Sequence, residues 1–249
     1  MSAAEKPPFP NVNGTGIRVA VIDSGLHAAH DHIDSALIAP GAAILPDGTV
    51  ETEAMATQDR LGHGTAVTAA IQEKAPGAQI IPVRVFHHAL KTSGAAILSA
   101  IRWSLGQGAH IINLSLGSTN PDHRDAFARM VTQTAEGNAI IVAAHSDQNT
   151  PYYPGSLDGV VGVQLDWDCP REYYRTVEID GAPIFLASGY PRPIPGVPMQ
   201  RNLAGISFAV SQMAGFTALA CAHLKENDQA LSIENVRETL CDAALSSTT

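Results

Sequence analysis

Five short apolar runs alternate with helix-like stretches along this chain, and that alternation leaves few folds open. The runs are residues 17–22, 79–86, 111–114, 139–144 and 160–165, rich in isoleucine and valine. Runs of this length and composition read as buried strands. Residues 66–73, 93–106 and 122–135 between them read as helices, as do 207–225 and 232–244. A weak strand is expected near 41–45, and a hairpin around 177–186 inside the irregular, proline-rich stretch 166–204. Strand and helix in alternation predict a three-layer α/β/α fold with a mostly parallel central sheet. Residues 1–16, polar and rich in Pro, Asn and Gly, read as an N-terminal arm, and 17–249 as a single domain without an internal repeat.

The strands carry polar residues at their ends. The first ends in Asp23-Ser24-Gly25, the third runs into Ser115-Leu116-Gly117, and the fourth reaches His145-Ser146-Asp147. In a parallel sheet these residues share the carboxyl edge, where α/β folds keep their ligands. Two further signals lie off the strands. His63 sits between Gly62 and Gly64, which leaves its imidazole accessible, and Gly205-Ile206-Ser207 enters the helix at 207–225. A hydroxyl at a helix start lies among N–H groups without partners, beside the positive end of the dipole, which suits a nucleophilic serine. Taken singly, Ser207 reads as an N-cap and Asp-Ser-Gly as a turn. Together, Asp23, His63 and Ser207 can hold an imidazole in one tautomer and pass it the serine proton. Of the known triad orders, only Asp…His…Ser fits.

Charge and cysteine content narrow the setting. Lys and Arg number 15 against 24 Asp and Glu, a net charge of −9 that argues against nucleic acid or an anionic membrane as partner. Cys169, Cys221 and Cys241 are odd in number, and two lie on apolar helical patterns, so free buried thiols and a reducing compartment are expected. The first residues show neither a basic segment nor an apolar stretch of a signal peptide, and no apolar run approaches a membrane span of about 20 residues; a cytoplasmic location is the expectation. His27, His30 and His32 invite a metal reading, but exposed histidines on a turn explain them more simply.

The chain resembles the subtilisin-like serine proteases. The resemblance rests on Val21-Ile22-Asp23-Ser24-Gly25, Gly62-His63-Gly64-Thr65 and Gly205-Ile206-Ser207-Phe208-Ala209, in that order. Ala75-Pro76-Gly77-Ala78, Ile112-Asn113-Leu114-Ser115-Leu116-Gly117 and Tyr153-Pro154-Gly155 extend it over roughly residues 17–245. The resemblance implies that Ser207 is the nucleophile, His63 the general base and then acid, and Asp23 the orienting carboxylate. It implies that Ser115, Leu116 and Gly117 form an edge for an extended peptide or protein substrate. Ala143 and Ala144 would form the other wall of the pocket for the residue before the scissile bond. Tyr152 would stand at that pocket's floor and favour small side chains, whereas Asp147 near the rim would attract a basic one.

Four departures stand out. Relatives supply an oxyanion asparagine where this chain has Ser146; His145 and Asn149 are the neighbouring donor candidates, with Asn149 favoured on reach. The proline usual four residues after the serine is Ser211. Asp23 also lies close to Met1, which leaves no room for a pro-region; an intracellular-type member that folds unaided is the expectation, unless such a region was removed. The helix after His63 lacks the loop with which relatives bind calcium, so no calcium is expected there, nor any other metal or cofactor. The leading reading is an intracellular serine endopeptidase with a narrow processing role. The alternative is a subtilisin-fold peptide-binding protein with weak or absent catalysis, which the missing asparagine would suit. The oligomeric state and natural substrate are open.

Overall fold

A computed structural model describes residues 6–53, 55–147 and 150–245, with Asp147 described by its backbone alone. The chain runs β1 (Arg18–Asp23), β2 (Ala42–Ile44), β3 (Val50–Glu51), α1 (His63–Lys74), β4 (Gln79–Arg84), α2 (Gly94–Gly106), β5 (Ile111–Leu114) and α3 (Arg124–Glu136). It continues through β6 (Ile140–Ala144), β7 (Ser146–Asp147), β8 (Thr150–Pro151), β9 (Val160–Leu165), β10 (Arg175–Ile179), β11 (Ala182–Ala187), α4 (Ile206–Glu226) and α5 (Ile233–Asp242). Nine strands form one sheet in the order β10-β11-β9-β6-β5-β1-β4-β2-β3. From β11 to β2 every neighbouring pair is parallel, and an antiparallel strand closes each end, β10 on β11 and β3 on β2. The expected layered α/β/α fold is what the chain adopts.

The two-residue period of a strand sorts the core into two halves. Val19 and Val21 of β1, with Val142 of β6 and Val161 of β9, face α1, α4 and α5. Ala20 and Ile22, with Ile112 and Ile141, face α2 and α3. Strands buried on both faces explain why the sequence shows continuous apolar runs rather than alternation. Helix α4 is the deepest: from Phe208 to Ala222 every residue is buried. The helix has 21 residues, and an 18-residue window of it, with mean hydropathy 1.2, is apolar enough to cross a membrane by length and composition, but 83% of that window lies inside the protein. It is composed as a core helix that packs on neighbours all round.

The chain passes from β1 outward through β2 to β4 and then returns past β1 to β5. This reversal puts a topological switch point beside β1, where parallel α/β sheets open a crevice outside their carboxyl ends. Asp23 ends β1 there, and Ser115 follows β5. Two features of this edge go beyond the expectations. Helix α1 begins at His63 itself rather than at 66. The segment after β6 folds into the small antiparallel pair β7–β8, with Ser146 opposite Pro151.

Candidate active site

Asp23 is fully buried, and its Oδ1 accepts two hydrogen bonds of 2.7 Å, from Ser24 N–H and from His63 Nδ1. Asp23 Oδ2 is buried with no partner among the described residues. A carboxylate in this state holds the proton of His63 on Nδ1 and leaves Nε2 as an acceptor facing the cleft. The two reach each other because α1 starts hard against the end of β1. A Cβ built on Gly64 would lie 2.3 Å from Gly25 O, so no larger residue fits at that approach. Gly64 N–H is fixed by Ser24 Oγ at 2.8 Å.

Behind this pair stands Asp59, which sequence reasoning missed. Its Oδ1 accepts from Leu61 N–H, Gly62 N–H and Ser24 Oγ, and its Oδ2 from Thr65 N–H and Oγ1, all at 2.7–2.9 Å. The acid therefore caps the first turn of α1 and ties it to Ser24. A carboxylate just ahead of a helix start was the available signal. Burial works against the Asp59 charge, but the bonds from Thr65, Leu61 and Gly62 outweigh it and hold its pKa below the ordinary 3.8. For His63 burial is likewise the largest influence and opposes protonation. The hydrogen bond and charge of Asp23, with the charge of Asp59, prevail and raise the imidazole above its ordinary 6.5.

Ser207 is the second residue of α4, where the N–H groups of the first turn have no carbonyl partner within the helix. The turn into it requires Gly205, whose φ of 144° and ψ of −176° lie in a region essentially confined to glycine. Phe208, the next residue, packs its ring 5.7 Å from that of His63, which brings the start of α4 to the imidazole. The Ser207 hydroxyl donates to Ser115 O at 3.3 Å, and among the described residues no hydrogen bond joins it to His63 Nε2. The start of α4 thus meets the imidazole through Phe208, with the Ser207 hydroxyl turned toward the end of β5. Ser115 Oγ accepts from the buried Asn113 amide at 3.0 Å, which steadies the strand end.

The proposed pocket residues divide. Leu116 and Gly117 continue from Ser115, and Tyr152 abuts Gly117: a Cβ built there would be 2.9 Å from Tyr152 Cβ. Ser118 and Tyr153 then exchange backbone hydrogen bonds of 2.9 Å, which locks the two loops together. Ala143 and Ala144 are buried in β6. Of the oxyanion candidates, Ser146 Oγ is engaged by Gln164 Nε2 at 2.8 Å and by His145 Nδ1 at 2.9 Å. Among the described residues neither side chain bonds to any group around Ser207, and nothing in the sequence pointed to Gln164 as their partner. Burial lowers the pKa of His145 despite the nearby charge of Asp180. Asn149 and the side chain of Asp147 lie outside the described residues. His27 and His30 are exposed and His32 is half-buried. Cys169 and Cys221 are buried free thiols, with burial raising them to about 11 and about 12, and Cys241 is half-buried and also free.

Comparison with known proteins identifies the family. Residues 14–165 match the family model described as the subtilase family. Subtilisin DY of Bacillus licheniformis is 26% identical, over 97% of this chain and 88% of its own length. Subtilisin Savinase of Lederbergia lenta is 27% identical over 99% and 90%. A solved structure described as a lanthipeptide protease superposes with a TM-score of 0.71 at 21% identity, covering 94% of this chain and 83% of the other, and so shares the fold. With a matching model over more than half its length, and an aspartate, a histidine and a serine assembled at one sheet edge, the chain belongs to the subtilase family of subtilisin-like serine proteases.

Proposed function

We propose that this serine endopeptidase cleaves peptide bonds through an acyl-enzyme on Ser207, in a narrow intracellular processing role. The observation that carries the reading is the buried 2.7 Å bond between Asp23 and His63 beside the start of α4. Rotation of the Ser207 hydroxyl from Ser115 O to His63 Nε2 primes the nucleophile. His63 then takes the proton as Oγ attacks the substrate carbonyl, and Asp23 stabilises the imidazolium so formed. The new oxyanion meets the Ser207 N–H at the α4 start. Collapse expels the amine, which receives its proton from His63, and water repeats the sequence on the acyl group. The segment before the scissile bond pairs with the edge at Ser115–Gly117.

Tyr152 against Gly117 supports a short pocket for a small side chain before the bond. The free thiols of Cys169, Cys221 and Cys241 support a reducing compartment. One observation favours the alternative, a peptide binder with weak catalysis: Ser146 Oγ is held by Gln164 and His145, and among the described residues no hydrogen bond ties it to Ser207. A fluorophosphonate separates the two. One adduct, on Ser207, absent from Ser207→Ala, together with cleavage of a peptide library, is the expected result. Peptide binding without an adduct or cleavage would select the binder.

A further inference from the structure

A cavity of about 490 Å³ beside the catalytic groups has no part in the chemistry described above. Its walls include Arg60, Leu61 and Gly62, just ahead of His63, and Asn202 and Leu203, just ahead of Ser207. It is thus bounded by the two segments that lead into His63 and Ser207, with Thr65, Ala66 and Ala69 of α1 as a further wall. Across the carboxyl edge the strands run β6, β5, β1. The acyl part of the substrate lies over β5 and β6, on Ser115–Gly117 and Tyr152. The cavity lies on the β1 side, lined by the loop that follows that strand. It is thus where the departing segment of a substrate leaves the site.

The chemistry of its lining is one-sided. In a chain of net charge −9, this cavity is bordered by Arg60, Arg192, His27, His30 and His32. The acid in its lining is Asp59, whose oxygens already accept from Ser24, Leu61, Gly62 and Thr65. Of the acids nearby, Asp31 is exposed on the histidine loop, and Glu73 is bound by Arg171 and Lys74 while its charge also reaches Arg192. Among the described residues neither Arg60 nor Arg192 has an ion-pair partner. Arg192 donates to His32 O at 3.0 Å through one terminal nitrogen, and among the described residues its other nitrogens have no hydrogen bond. His30 Nδ1 accepts from His32 N–H at 3.1 Å, so the proton of the neutral ring sits on Nε2, a donor. Leu61, Ile194 and Leu203 add apolar surface, each being 38–47% exposed.

We propose that this cavity selects substrates with an acidic side chain among the first three residues after the scissile bond. The carboxylate sits between Arg60, Arg192 and His30 Nε2–H, and its methylene stem rests on Leu61, Ile194 and Leu203. Guanidinium groups suit a carboxylate because their donors match its two oxygens. The proposal rests on the endopeptidase reading, which supplies the direction of the substrate.

Peptide pairs that differ only by Glu or Gln at each of the three positions test it. At one position kcat/KM is expected to favour Glu by about five-fold at low salt, and by less than about two-fold near 1 M salt, where charges are screened beyond about 3 Å. Arg60→Gln, a change at an exposed side chain without a hydrogen bond among the described residues, should lower the ratio. Arg60→Glu with Arg192→Glu should move the preference to Lys. Ratios within two-fold at all three positions, or a Glu preference unchanged in the double variant, would overturn the proposal. Binding of the same pairs to Ser207→Ala gives the second readout. Failure of the parent to cleave any pair, with no fluorophosphonate adduct, sinks the endopeptidase reading. The Glu-to-Gln binding ratio on Ser207→Ala then decides the cavity separately, equal affinities counting against it.

Discussion

His63 carries opposite consequences for activity and stability. In the endopeptidase reading only its neutral form accepts the serine proton, so the rising limb of kcat/KM against pH should titrate above 6.5, the ordinary histidine value. Stability runs the other way. A pKa raised in the folded state means that the protonated imidazole favours folding. That contribution is complete below 6.5 and is lost as pH rises through the raised value. In Asp23→Asn the acidic limb should move down and kcat should fall by orders of magnitude, because the group that fixes the tautomer is changed. A limb that stays in place would mean that Asp23 does not govern the imidazole. Asp59 acts one layer back. Asp59→Ala strips an acceptor from the four backbone and hydroxyl groups of Leu61, Gly62 and Thr65 and from Ser24. A loss of about 3 kcal/mol is expected, from charged hydrogen bonds at roughly 1.5–3 kcal/mol each partly replaced by water. Thermal unfolding should show it as a fall of about 6–12 °C, and an unchanged midpoint would remove Asp59 from the scaffold.

The elements bring these residues together by close approach, and the closest is α1 on β1. In Gly64→Ala the new methyl would stand 2.3 Å from Gly25 O, a backbone atom that cannot swing away. The helix start must lift, carrying His63 off Asp23. We expect kcat to fall by about two orders of magnitude, as misplacement of about 1 Å can do, while the far-ultraviolet circular dichroism is retained. Near-parental turnover would show that the junction yields without cost. This junction also marks what the sequence discloses. Gly62-His63-Gly64 signalled an accessible imidazole, and the runs at 111–114 and 160–165 gave β5 and β9 to the residue, because buried strands concentrate β-branched residues. The pair β7–β8 was not legible: two-residue strands have no period to detect. Nor was the engagement of Ser146 by Gln164, since a polar residue on one strand does not reveal which residue of another strand it meets. Asp23, His63 and Ser207 could be read because each occupies a local motif. The cationic cavity could not, because its walls come from loops after β1, before α1 and before α4, which only the fold unites.

At the scale of the whole molecule, α4 connects the site to the opposite end of the protein. Ser207 lies in its first turn, and His223 near its end packs against Phe9 with ring centroids 6.2 Å apart. The separation of 223 − 207 = 16 residues corresponds to about 24 Å along a helix. Phe9 and Val12 pack on the core half that holds α4, and Gly77 N–H donates to Asn13 O at 2.7 Å. The N-terminal segment thus straps the end of α4 to the turn before β4, far from the carboxyl edge. Phe9 is only partly buried, so its truncation removes part of the roughly 1.5–3 kcal/mol that a fully buried large apolar side chain contributes. Phe9→Ala should therefore lower stability by about 1–2 kcal/mol and the melting temperature by about 2–8 °C, at 2–4 °C per kcal/mol for a chain of this size. The site should not feel the change: kcat and KM on a cleaved peptide should match the parent at temperatures well below the midpoint. The two measurements belong together. A melting temperature equal to the parent's would mean that Phe9 does not anchor the strap. A fall in kcat with the fold intact would mean that α4 transmits strain along its length, and that the nucleophile is positioned from both ends of the helix rather than by the turn at Gly205 alone.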